Sequence, residues 1–114
     1  MNNRIKDCFS KLSEKNKKAL ITFLTAGDPN FNLSLELIKK LPSAGADIIE
    51  IGMPFSDPMA DGPAIQASAL RSIRAGHTMQ NTFEIISGFR MDNTTTPIIL
   101  MGYFNPIYNY GTEK

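Results

Sequence analysis

Three short apolar runs, spaced widely along the chain, constrain its fold more than any other feature. They cover residues 19–25, 47–52 and 98–103 and are rich in Ile and Leu. Runs of this kind are typical of strands that are buried on both faces. The segments between them are too long for hairpin turns and carry helical periodicity. The sequence therefore predicts βαβ units with right-handed crossovers, and hence an α/β fold with a parallel sheet.

Helix signals flank and separate the three runs. Pro63 suits a first helical position, Gly76 suits the residue beyond a helix end, and Thr78 suits an N-cap. Helices are predicted over residues 3–14, 31–41 and 63–74, with one more after Thr78. No helix is predicted after the third strand. Because three parallel strands do not close a barrel, the sequence predicts an incomplete sheet with unpaired edges.

The composition excludes several classes of protein. The 114 residues are 42% hydrophobic, which is enough for one small core. The net charge of +1 gives no bias toward nucleic acid or an anionic membrane, and no apolar stretch approaches the roughly 20 residues of a membrane span. Cys8 is the only cysteine, so no internal disulfide forms, and a packed thiol in a reducing compartment is expected. We therefore expect a cytoplasmic protein without nucleic-acid or membrane partners.

Glu50 is the first candidate functional residue. It interrupts the apolar run Ile48–Ile51, where an ionised, unpaired carboxylate would be costly. It also lies near the C-terminal end of its strand, where parallel α/β folds place their active sites. A structural carboxylate bonded to the backbone or to a lysine is the alternative. Position and cost together favour a catalytic role.

The loop from Met53 to Gly62 is the second candidate. Its prolines and glycine restrict the backbone, and Asp57 and Asp61 can lean over the end of the sheet toward Glu50. Carboxylates in different surroundings can divide acid and base roles. Two alternatives stay open: Asp61 can cap the following helix, or the carboxylates can hold Mg²⁺. No third ligand is recognisable in the sequence, so we predict no metal site.

Aromatic and sulfur side chains at the strand ends complete the predicted site. Phe23 and Tyr103 end the first and third runs on the same rim as Glu50. Together with Met101 they can form the wall for a flat apolar ligand, although aromatic residues at strand ends are also common in cores. The only histidine, His77, follows Gly76, and we expect a helix cap or a solvent contact rather than catalysis.

Residues 45–63 (GADIIEIGMPFSDPMADGP) carry a resemblance to a known family. This segment, together with residues 23–29 and 97–106, resembles the tryptophan synthase α subunit. The resemblance implies a (β/α)8 TIM barrel, of which residues 1–114 would cover the N-terminal helix and the first three β/α units of a single domain. It also implies a lyase of tryptophan biosynthesis, which cleaves indole-3-glycerol phosphate to indole and glyceraldehyde 3-phosphate by a retro-aldol reaction.

The resemblance also implies a role for individual residues. Glu50 matches the general acid/base that protonates the indole ring at C3, and Asp61 matches the aspartate that stabilises the positive charge developing on the indole nitrogen. The indole pocket would be lined by Phe23, Met101 and Tyr103. Pro54, Asp57 and Asn105 would meet a β subunit in an α2β2 tetramer. That β subunit carries pyridoxal phosphate, whereas the α subunit needs no cofactor.

The chain departs from the family in length. A barrel of this kind needs about 250 residues, and its phosphate site usually lies in loops after strands 7–8. We therefore expect an incomplete domain whose 114 residues alone have negligible lyase activity. Two alternatives stay open, namely a non-catalytic folding or interaction module, and a different phosphate-handling β/α barrel.

Overall fold

The computed structural model describes residues 3–56 and 60–111, which form one three-stranded sheet and five helices. The strands are parallel and lie in the order β1-β2-β3, so the predicted α/β class is confirmed. In chain order the elements are α1 (Arg4–Glu14), β1 (Ile21–Thr25), α2 (Phe31–Lys40), β2 (Ile48–Gly52), α3 (Pro63–Arg74), α4 (Met79–Asp92), β3 (Ile98–Met101) and α5 (Phe104–Tyr110).

The helix boundaries follow the local signals in the sequence. Side chains of Asn3 and Asn30 accept backbone hydrogen bonds at the starts of α1 and α2. Thr78 caps α4 in a capping box with Asn81, as its position predicts. After α3, Gly76 has a φ of +85°, a left-handed conformation that favours glycine at the end of a helix.

Helices α2 and α4 cover one face of the sheet. Ile49 and Ile51 of β2 are completely buried in one cluster with Ile38 of α2 and with Ile85 and Phe89 of α4. Burying a side chain of this size contributes about 1.5–3 kcal/mol. This helix-covered face therefore holds the core of the described residues and fixes β2 as the central strand.

The opposite face of the sheet is largely open. Strand register places Ile21 opposite Ile48, Phe23 opposite Glu50, and Gly52 opposite Met101. On this face Ile21 is 46% exposed, Phe23 37% and Met101 54%. The expectation of burial on both faces holds for β2 but is wrong for β1 and β3. These two are the edge strands of the described sheet. The described helices leave most of this side of them uncovered, and α3 reaches it at the end of β1.

The end of the third apolar run also differs from its prediction. Strand β3 stops at Met101, and Tyr103 is the N-cap of α5, a helix that the sequence analysis did not predict. Pro106 lies in the first turn of α5, where its missing N–H has no helical partner to lose. Gly111 follows the helix with a φ of +110°.

Helix α1 lies across the N-terminal ends of the strands. Arg4 Nε donates to the backbone oxygen of Thr94 at 2.6 Å, and the Cys8 thiol donates to that of Asp47 at 3.6 Å. Cys8 is partly buried, and burial raises the pKa of its thiol, with a smaller contribution from Asp47. No helix among the described residues has the length and apolar character needed to cross a membrane.

Candidate active site

A cavity of about 510 Å³ opens at the C-terminal end of the sheet. Its walls come from the ends of the three strands, from the loop that follows β2 and from α3. Six residues singled out in the sequence line it: Phe23, Glu50, Pro54, Asp61, Met101 and Tyr103. The structure therefore brings together the predicted carboxylates and the predicted apolar wall.

Strand register explains why the wall residues converge on Glu50. Residues paired across parallel strands project to the same face, so Phe23 and Glu50 are side by side. Gly52, two residues beyond Glu50, leaves room for the Phe23 ring, because a Cβ atom at position 52 would collide with that ring. The aromatic ring of β1 thus extends over the end of β2.

Glu50 lies on the open face of the central strand and is half-buried. Within residues 3–56 and 60–111, its carboxylate takes part in no hydrogen bond or salt bridge, so the alternative of a lysine or backbone partner is not observed. A carboxylate on a cavity wall without a structural partner is free to exchange a proton with a ligand.

Asp61 reaches the same cavity from the loop. Gly62 is the N-cap of α3, and no side chain caps this helix end, so the alternative role of Asp61 as a cap is not realised. The Asp61 backbone oxygen instead accepts a hydrogen bond of 2.7 Å from Gln66 Nε2. The carboxylate is left on the cavity wall. Asp57 lies outside the described residues.

Tyr103 connects β3 to the loop. Its hydroxyl oxygen accepts a hydrogen bond of 2.8 Å from the Ala60 N–H, and its ring packs edge-to-face on Phe55, with 5.4 Å between ring centroids. Neither Tyr103 nor Phe23 belongs to the buried core cluster. These aromatic residues are therefore cavity residues rather than core residues.

A set of polar contacts, not foreseen in the sequence analysis, fixes α3 over the end of β1. Ser68 Oγ lies 2.7 Å from Thr25 Oγ1, and Ser72 Oγ donates to the Ala26 backbone oxygen at 2.6 Å. Arg71 binds Asp28 through two hydrogen bonds, at 2.8 and 3.0 Å. Two serines four positions apart in a helix, Ser68 and Ser72, were the available signal, since residues at this spacing share a face.

The remaining predicted residues lie elsewhere. Ala75 is the C-cap of α3, and the His77 N–H donates to the Ser72 backbone oxygen two residues beyond it. His77 Nε2 lies 2.8 Å from Thr82 Oγ1. Burial lowers the pKa of His77. Asn105 is exposed on α5 and does not line the cavity. Within the described ranges, no group of three His, Cys, Asp or Glu side chains could hold a metal ion.

Comparison with known proteins gives consistent matches. The family model described as tryptophan synthase alpha chain matches residues 9–114. The tryptophan synthase subunit alpha of Legionella pneumophila is 43% identical, with a TM-score of 0.94 over 97% of this chain and 42% of its own. A protein of Aquifex aeolicus is 40% identical, with a TM-score of 0.93 over 98% of this chain and 44% of its own. A tryptophan synthase of M. tuberculosis, in an aminoacrylate-bound form, is 30% identical, with a TM-score of 0.88 over 98% of this chain and 45% of its own.

The chain thus spans less than half the length of these solved relatives. The described strands and helices correspond to the first β/α units of the TIM barrel that this family adopts, as the sequence predicts. The alternative of a different phosphate-handling barrel family is wrong, because the family match covers most of the chain. The chain belongs to the tryptophan synthase alpha chain family.

Proposed function

We propose that residues 1–114 form the N-terminal part of a (β/α)8-barrel alpha chain, which cleaves indole-3-glycerol phosphate to indole and glyceraldehyde 3-phosphate. One observation carries the proposal: Glu50 and Asp61 line the same cavity, and Phe23, Met101 and Tyr103 form its apolar wall. The cavity lies at the C-terminal end of the parallel strands, where barrel enzymes bind their substrates.

The two carboxylates have different tasks in the proposed retro-aldol reaction. Glu50, in its acid form, protonates C3 of the indole ring, and the positive charge that results is shared with the ring nitrogen, beside the Asp61 carboxylate. The Glu50 carboxylate then accepts the proton of the glycerol hydroxyl next to the ring. The carbon–carbon bond breaks, its electron pair returns to the ring, and the hydroxyl carbon becomes the aldehyde. Glu50 ends the cycle protonated, so the protons balance.

The apolar wall orients the flat indole ring. Aromatic rings favour offset or edge-to-face contacts with other rings, and such surfaces are offered by Phe23 on β1 and by Tyr103 after the end of β3. Met101 adds a flexible, polarisable contact. We propose these three residues as the indole-binding set, which holds C3 within reach of Glu50.

The proposed partner is a β subunit in an α2β2 assembly, which receives the indole and carries the pyridoxal phosphate. We assign Pro54, Asp57 and Asn105 to that interface. In support, Asn105 is exposed on α5, between the exposed aromatic residues Phe104 and Tyr108. The M. tuberculosis structure is that of a tryptophan synthase. The alpha chain uses no cofactor of its own, and we place the enzyme in the cytoplasm.

The test compares the lyase activity of a complete barrel with that of the 114-residue chain alone. We define the completed alpha chain as residues 1–114 joined to the C-terminal portion of the L. pneumophila relative. We expect this protein to cleave indole-3-glycerol phosphate, and the 114-residue chain alone to show negligible turnover, because the distant binding energy of the phosphate is missing. Near-family turnover by the isolated chain would contradict the second expectation.

Glu50→Gln in the completed alpha chain tests the catalytic assignment. We expect kcat to fall by about 10²–10⁴, the usual contribution of a general acid or base. Glu36→Gln, on the exposed surface of α2, is the matched control and should leave kcat unchanged. Wild-type kcat in Glu50→Gln would contradict the proposal.

A non-catalytic interaction module is the second candidate function, favoured by the exposure of Ile21, Phe23 and Met101 on the open face of the sheet. In that case Glu50→Gln would change no activity, and binding to a β subunit or to a second barrel part would be the only measurable property. Binding assays on the same variants therefore distinguish the two functions.

A further inference from the structure

We propose that Tyr103 is a positioning residue, whose hydroxyl group holds the loop backbone at Ala60 and thereby sets the place of Asp61. The inference rests on the proposed function, in which the Asp61 carboxylate stabilises charge on the ring nitrogen. It assigns to Tyr103 a role separate from that of its ring, which forms part of the cavity wall.

The hydrogen bond between Ala60 and Tyr103 joins the loop after β2 to the segment between β3 and α5. Tyr103 lies two residues beyond the end of β3 and is the N-cap of α5, so its own backbone lies between two regular elements. Ala60 lies on the loop and directly precedes Asp61 in sequence, and its N–H donates to Tyr103 Oη at 2.8 Å. The Phe55 ring contacts the same tyrosine from the other end of the loop, at an interplanar angle of 76°.

The other side of Asp61 is fixed by α3. Gln66 Nε2 donates to the Asp61 backbone oxygen, and Ser68 and Ser72 bind α3 to the end of β1. Asp61 therefore lies between two attachments, one on each side along the chain. Among the described residues, the hydrogen bond on the Ala60 side is the one to the Tyr103 hydroxyl group.

The Asp61 side chain has no comparable attachment of its own. In the part of the chain that the structure describes, no hydrogen bond or salt bridge engages its carboxylate, and α3 has no side-chain cap. Its backbone must therefore determine where the carboxylate lies. Small displacements of a charge-stabilising group are costly, since a shift of about 1 Å can lower a rate by about 10².

Tyr103→Phe removes the hydroxyl group and keeps the ring. Tyr110→Phe is a matched control, because Tyr110 Oη also makes a hydrogen bond, of 2.9 Å to Gln80 Oε1, and its ring contacts Phe83 at 5.2 Å between centroids. The first readout is amide hydrogen exchange at Ala60 in the completed alpha chain. We expect faster exchange in Tyr103→Phe and unchanged exchange in Tyr110→Phe; equal exchange in all three proteins would overturn the proposed attachment.

The second readout is a double-mutant cycle with Asp61→Asn. If Tyr103 acts through Asp61, Tyr103→Phe lowers kcat about tenfold with little change in KM in the wild-type background, and less than about twofold in the Asp61→Asn background. A merely structural role, or one confined to the ring wall, gives the same loss in both backgrounds. Equal losses would overturn the inference.

The two proposals fail in different ways. If the completed alpha chain has no lyase activity, the proposed function fails, while Ala60 exchange still tests the contact. If the completed alpha chain is active and the Tyr103→Phe variant has the same Ala60 exchange rate and the same kcat, the positioning role fails and the proposed function stands.

Discussion

The absence of a side chain at Gly52 determines where the Phe23 ring can lie. A methyl group there would collide with the Phe23 ring, which is partly exposed and can therefore move away. We expect Gly52→Ala to displace the ring and to raise KM for indole-3-glycerol phosphate about tenfold, which corresponds to about 1.4 kcal/mol of binding energy. Gly62→Ala is the control, because no atom of the described residues lies within 4 Å of its Cβ position and its φ is −76°. An unchanged KM in Gly52→Ala would show that Phe23 does not form the wall.

His77 provides a test of pH dependence. Burial lowers its pKa in the folded chain below the ordinary value of 6.5. Below pH 6.5 the unfolded chain therefore binds a proton that the folded chain does not, so the free energy of unfolding falls as the pH falls from 6.5 toward the folded pKa. Urea unfolding at pH 7.5 and pH 5.5 measures the effect, and His77→Gln should reduce the difference between the two. An equal difference in both proteins would rule out His77 as its source.

Single residues differ in how far the sequence predicts them. Glu50 was predictable, because a charged residue in an apolar run is conspicuous and the end of a parallel strand is a known place for active sites. For Asp61, spacing alone could not distinguish a helix cap from a cavity residue. The contact between Ala60 and Tyr103 could not be predicted at all, because it joins positions far apart in the chain.

Among the elements, α3 has the most direct effect on the position of Asp61, because the helix begins two residues after it. Ser72 is completely buried, and its hydroxyl group donates to the Ala26 backbone oxygen. We expect Ser72→Ala to lower the free energy of unfolding by about 1–3 kcal/mol, since the carbonyl would be left buried without a partner. Ser87→Ala, on the exposed side of α4, should stay within about 0.5 kcal/mol of wild type. Equal stability of both variants would show that this contact does not hold α3.

Element types were easier to predict than burial or the last helix. Caps such as Thr78 and breaks such as Gly76 are local, so the ends of α3 and α4 follow from neighbouring residues. The burial of β1 depends on which other elements pack against it. The apolar run at residues 19–25 carries no information about those elements. Helix α5 was missed because Pro106 and the aromatic residues around it do not give a clear helical stripe.

At the scale of the whole molecule, the open face of the sheet is the main consequence of a chain that spans less than half the length of its relatives. Ile21, Phe23 and Met101 present apolar surface there, of the kind that a barrel encloses. We expect the 114-residue chain to bind an apolar dye such as anilinonaphthalene sulfonate strongly, and the completed alpha chain to bind it weakly. Ile21→Ser should lower dye binding by the isolated chain, whereas Met91→Ser, at a position on α4 that is 85% exposed, should have a smaller effect. Equal dye binding by the two proteins, or equal effects of the two substitutions, would show that this face is not the surface that the rest of the barrel covers.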